Sequence, residues 1–136
     1  MPKLALQALL ALGLIFAVAA PAAERRIDQD LDACLDKNPS TAGMIECQDR
    51  AYAAWDKALN LEYKSLMQTL AAAQQQALRD SQLRWIAFRD AEFKALEAIY
   101  GRKEGTLYLP MHVAARAEIV KSRVRQLDAY HRLVND

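Results

Sequence analysis

Histidine, cysteine, glycine and proline are all scarce in this chain of 136 residues, at two, two, four and four. With so few glycines there is no glycine-rich loop of the kind that cradles a phosphate. His112 and His131 lie far along the chain from Cys34 and Cys47, so no metal-ligand spacing is completed. No nucleophile stands beside a plausible base, which leaves catalysis without its parts, and neither enzyme activity nor a cofactor is expected. An excess of one charge is missing too. The 18 basic and 17 acidic residues nearly cancel, so nothing draws the chain to nucleic acid or to an anionic membrane.

One long apolar run is present, and it stands at the start. Lys3 supplies a positive charge, residues 4–20 are uncharged and rich in Leu and Ala, and small residues with Pro21 close the run. That order is the anatomy of a secretory signal peptide. At 17 residues the run is at the short limit for a membrane span. Cleavage after Ala22 places Ala20 and Ala22 at the −3 and −1 positions, and cleavage after Ala19 is the alternative. We therefore expect a signal at 1–22, a mature domain at 23–136, and a periplasmic address without stable membrane insertion. Loss of Lys3 leaves 17 charges of each sign, and the mature length suffices for one domain with a modest core.

Export gives the two cysteines a setting in which disulfides persist. Pairing of Cys34 with Cys47 is expected, a loop of this size contributing about 3 kcal/mol by restricting the unfolded chain. Two free buried thiols are the alternative. The stretch before Ser40 is polar and acidic, through Asp28, Asp30, Asp32 and Asp36, and it reads as an irregular arm or short helix ending at Asn38 and Pro39. Ser40 or Thr41 is placed to cap the helix that follows.

The body is almost wholly helical. Residues 44–70 contain neither Pro nor Gly, and Trp55, Leu59, Tyr63, Leu66 and Leu70 recur at helical spacing. Leu78, Trp85, Phe88, Leu96 and Ile99 form a second such face, stopped by Gly101. A turn near Ala72 or Ala73 is expected between them, because one unbroken helix would have nothing to bury its face against. The stretch 102–110 is a loop, with Pro110 at the next helix start. Val113, Ala117, Val120, Val124, Leu127, His131 and Val134 then form the apolar stripe of a last helix. Arg116, Lys121, Arg123, Arg125 and Arg132 sit off that stripe and read as a solvated basic face. The expected fold is all-α: a long antiparallel helical hairpin, a third C-terminal helix packed along it, and an N-terminal arm tied by one disulfide.

Folding the hairpin about residue 72 or 73 brings Asp56 level with Arg89, Asn60 with Trp85, and Tyr63 with Gln82. A carboxylate–guanidinium pair and an indole N–H donating to an amide would fix the register of the two helices. A catalytic cleft is the other reading, but a carboxylate beside an Arg has a lowered pKa and makes a poor general acid. A structural role is therefore expected for Asp56, Leu59, Asn60, Tyr63, Gln82, Trp85, Phe88, Arg89 and Asp90.

Those residues also carry a likeness. The run from Asp56 through Leu59, Asn60 and Tyr63 to Leu66, followed by Leu78, Gln82, Trp85, Phe88, Arg89 and Asp90, closely resembles the LprI-like domain, named for a lysozyme inhibitor. The likeness continues through Gly105, Thr106 and Arg123 to Leu127. Many members resembling this chain carry two further cysteines, where it has Phe93 and, early in the last helix, Ala115.

The resemblance implies a secreted inhibitor of a lysozyme-type muramidase. A glycosidase with two carboxylates can be blocked by a loop that offers them basic or hydroxyl groups and excludes the sugar. Arg102, Lys103, Thr106 and Tyr108, on a glycine-flanked loop, suit that task. The plainer alternative is an ordinary helix connection with Tyr108 tucked onto the core. A non-catalytic envelope or immunity protein that binds another periplasmic partner through a helical face is the second function in view. Exposed apolar residues at the loop tip favour plugging an enzyme, whereas a broad apolar helical face favours a partner helix.

Overall fold

The computed structural model describes residues 19–136, and residues 1–18 of the expected signal lie outside them. Four helices follow one another: α1 (Ala19–Lys37), α2 (Thr41–Thr69), α3 (Ala72–Tyr100) and α4 (Tyr108–Asn135). No strand occurs among the described residues, and no helix among them is long and apolar enough to cross a membrane. The all-α hairpin with a third helix along it is thus the fold. The acidic arm is itself a helix, α1, and the Cys34–Cys47 disulfide bonds it to α2 across a Cα separation of 5.7 Å.

Local chemistry explains the breaks. Ser40 caps α2, its Oγ accepting from the Gly43 amide at 3.1 Å. Gly43 is required there, because a Cβ would lie 2.7 Å from the Cβ of Asn38. Asn38 in turn donates from Nδ2 to the Cys34 carbonyl at 2.8 Å, closing the end of α1. Between α2 and α3 no glycine or proline makes the turn; glutamines do. Gln74 Oε1 accepts from the Ala71 amide at 3.0 Å, and Gln75 Nε2 donates to the Met67 and Leu70 carbonyls, each at 3.0 Å. These side chains satisfy helix-end groups that would otherwise be orphaned, and they hold the turn at residues 70–71, next to the expected position. In the α3–α4 loop Gly105 adopts φ +101°, a conformation that L side chains resist. Helix α4 starts two residues before Pro110.

The core is organised by α4. Trp55, Leu59 and Leu66 of α2, Leu78 of α3, and Ala117, Val120, Val124 and Leu127 of α4 form one buried cluster. Val120 and Leu127 are wholly buried. Helix α2 packs along α4, α1 packs on α2, and α3 also packs on α4. The stripe expected on α4 therefore faces the core from Ala117 to Leu127, while Val134 emerges into solvent.

The expected solvated basic face is corrected, since α4 lies between neighbours and three of its cations are drawn inward. Arg123 is 4% exposed. Lys121 donates to both carboxylate oxygens of Asp28 at 2.8 Å and sits 5.1 Å from the Trp55 ring centroid. Arg116 lies against Tyr52 and Phe93. Arg125 holds Glu24, so Arg125 and Lys121 together clamp α1 to α4. Hydrogen bonding to Glu24 raises Arg125 above the ordinary arginine pKa. His131, on the apolar stripe, has Nδ1 2.7 Å from Glu62 Oε1 and is a hydrogen-bonded, half-buried histidine.

Candidate partner-binding site

The residues of the two helical patches come together differently from the expected cross-hairpin pairs. Asn60 donates from Nδ2 to the Asp56 carbonyl at 2.9 Å and to the Asp56 carboxylate oxygen Oδ2 at 3.4 Å, so Asp56 is engaged within its own helix. Arg89 donates from Nε and Nη2 to Asp90 Oδ1, at 2.9 and 2.7 Å. Its guanidinium also lies 5.6 Å from the Trp85 ring and 5.8 Å from that of Phe93. The reason is tertiary: α4 receives both arms of the hairpin, which leaves their polar faces out of each other's reach. Register survives at one point, where Tyr52 meets Phe93 edge to face with ring centroids 6.1 Å apart.

Gln82 and Trp85 instead serve Arg123 of α4. Arg123 donates from Nε to Gln82 Oε1 at 3.0 Å and from Nη2 to Ser81 Oγ at 3.2 Å, and its Nη1 bonds Gln126. The Trp85 ring lies 5.8 Å from its guanidinium carbon. Burial pushes Arg123 below the ordinary arginine pKa, offset in part by Tyr130. Neutral amides and a hydroxyl satisfy this cation, so the motif docks α3 onto α4. Leu59 is in the core and Tyr63 packs against it. Phe88 is 53% exposed.

At the other end of α3 the loop forms a tip. Arg102, Lys103 and Thr106 are exposed, and Tyr108 is half-buried, with Lys103 Nζ 5.9 Å from its ring centroid. Ile99, expected on the apolar face of α3, is exposed beside them, and so are Leu107, Leu109 and Met111, which the sequence did not single out. Leu107, Leu109 and Met111 stand at the start of α4, where an apolar residue reads the same in sequence whether or not something covers it. The tip thus combines cations, hydroxyls and uncovered apolar surface at one end of the bundle.

Phe93, one of the positions that carry cysteine in many resembling proteins, sits 4.6 Å from the Arg116 guanidinium. An aromatic–cation stack joins α3 to α4 there, one residue along from Ala115. Among the described residues no group of three or more His, Cys, Asp or Glu is placed to hold a metal ion.

Residues 34–127 match the sequence model of the family described as lysozyme inhibitor LprI. A crystal structure of an uncharacterized protein from Burkholderia thailandensis is similar, with a TM-score of 0.74 and 29% sequence identity, covering 81% of this chain and 55% of that one. The chain therefore spans about half the length of that solved protein. No curated protein matches it.

Proposed function

Because this chain belongs to the lysozyme inhibitor LprI family, we propose that it is an exported periplasmic protein that binds and inhibits a lysozyme-type cell-wall hydrolase through the α3–α4 tip. Removal of residues 1–22 on export delivers the domain from Ala23 onward. The observation that carries the reading is the clustering of Ile99, Leu107, Leu109 and Met111, all exposed, around Arg102 and Lys103. Exposed apolar groups ringed by charge mark interaction surfaces, and a narrow tip of this chemistry suits a concave active site. Arg102 and Lys103 pair with the acids that flank the scissile bond, while the leucines exclude water and sugar.

Peptidoglycan lysis by lysozyme, titrated with the oxidised protein from Ala23 onward, tests this. Dose-dependent loss of lysis is expected. Arg102→Ala with Lys103→Ala, and separately Leu107→Ser with Leu109→Ser, should weaken inhibition about tenfold or more while leaving thermal melting unchanged. Unaltered lysis with several lysozyme types would overturn the inhibitor reading. It would favour an envelope or immunity protein that binds through the outer face of α3, where Leu83 and Phe88 are 67% and 53% exposed.

A further inference from the structure

Several cations at the helix contacts are answered within the fold: Arg123 by Ser81, Gln82 and Gln126, Lys121 by Asp28, Arg125 by Glu24, and Arg89 by Asp90. Arg116 is different. Its Nε is buried and has no hydrogen-bond partner among the described residues, and the same is true of His112 Nε2. Both residues line one cleft of about 480 Å³ between α3 and α4, with Asp90, Phe93, Lys94 and Glu97. Buried polar atoms are almost always partnered, so two unpartnered ones on the same wall mark a place where hydrogen bonding is completed from outside the chain.

We propose that this cleft holds a carboxylate, gripped by Arg116 with His112 beside it, and that in the inhibitory complex the carboxylate is an acidic side chain of the hydrolase. The second half rests on the inhibitor reading; the first does not. Arg116 is oriented for the task, its guanidinium carbon 4.6 Å from the Phe93 ring and 5.2 Å from that of Tyr52. Contact with ring faces leaves a guanidinium edge to bind, and two parallel N–H groups match a carboxylate. His112 is held by Tyr100, with ring centroids 5.6 Å apart. Charge restricts the ligand further. Asp90 is paired with Arg89, Glu97 and Lys94 bring one charge of each sign to the cleft, and the remaining Arg116 suits a single negative charge better than a polyanion. Glu97 and His112 lie one to two turns from the tip loop, so a partner seated on the tip reaches the cleft.

Two measurements on the oxidised protein decide the matter. In the first, sodium acetate is titrated against matched sodium chloride while the arginine Nε–H resonances are followed by NMR. The Arg116 resonance should move saturably with acetate, those of Arg123 and Arg125 should stay in place, and Arg116→Gln should abolish the response. No response beyond that to chloride overturns the site, whether or not the protein inhibits any lysozyme. In the second, Arg116→Gln and Arg116→Lys are compared with wild type in the lysis assay, with thermal melting as the control for folding. A loss of inhibition of about tenfold or more in both supports the enzyme's carboxylate as the occupant. Unchanged inhibition beside a positive acetate response overturns that occupant and assigns the cleft to a small free carboxylate. If no lysozyme is inhibited, the acetate titration still decides the site.

Discussion

Arg123 Nε donates to Gln82 Oε1 at 3.0 Å, joining α4 to α3 through a cation that is 4% exposed and is answered only by neutral groups. Removing the guanidinium strands Gln82, Ser81 and the face of Trp85. Arg123→Ala should therefore lower unfolding stability by about 2–4 kcal/mol. Arg123→Met, which keeps the packed stem, should cost less. Urea unfolding of the three proteins measures the order; equal stability of Arg123→Ala and wild type would remove Arg123 from the docking of α3.

Asp56 supports no cross-hairpin ion pair. Asp56→Ala should change stability by no more than about 0.5 kcal/mol, because its amide neighbour Asn60 shares the same helix. Thermal melting checks this, and a fall as large as that of Arg123→Ala would restore the partnership with Arg89.

The contrast between Leu127 and Leu83 tests α4 as the centre of the core. Leu127 is fully buried, whereas Leu83 is 67% exposed. Leu127→Ala leaves a cavity and should cost about 2–5 kcal/mol, while Leu83→Ser should be close to neutral. Denaturant midpoints for the two variants give the answer directly.

The disulfide closes a loop of sequence separation 13. Cys34→Ser with Cys47→Ser should lower stability by about 3 kcal/mol. The loss should appear first in α1, which is then held by the Lys121–Asp28 and Arg125–Glu24 ion pairs and by packing on α2. Hydrogen exchange, followed segment by segment, should show residues 23–37 opening ahead of α2 and α4.

Much of the fold was legible because helical periodicity is a local signal. Ser40 as cap, Gly101 as stop and the stripe from Ala117 to Leu127 each follow from neighbours within one or two turns. The α2–α3 turn was located to within two residues, although its cause, the side-chain bonds of Gln74 and Gln75, carries no obvious breaker. Arg123 was misplaced because a cation off an apolar stripe normally faces water; only the arrival of Ser81 and Gln82 from another helix makes its burial tolerable. The tip was legible in Arg102, Lys103, Thr106 and Tyr108 but not in its leucines, since an apolar residue reads the same whether or not something covers it.

The sequence by itself determined a helical body, the cap at Ser40, the stop at Gly101, and the cysteine pair that ties the N-terminal arm to α2. All of these rest on spacing and on chemistry between near neighbours. The tertiary structure alone decided which helix stands at the centre, which cations turn inward, and which polar atoms of Arg116 and His112 are left without a partner. Those outcomes depend on groups brought together from distant parts of the chain, where the sequence places no constraint until the helices have packed.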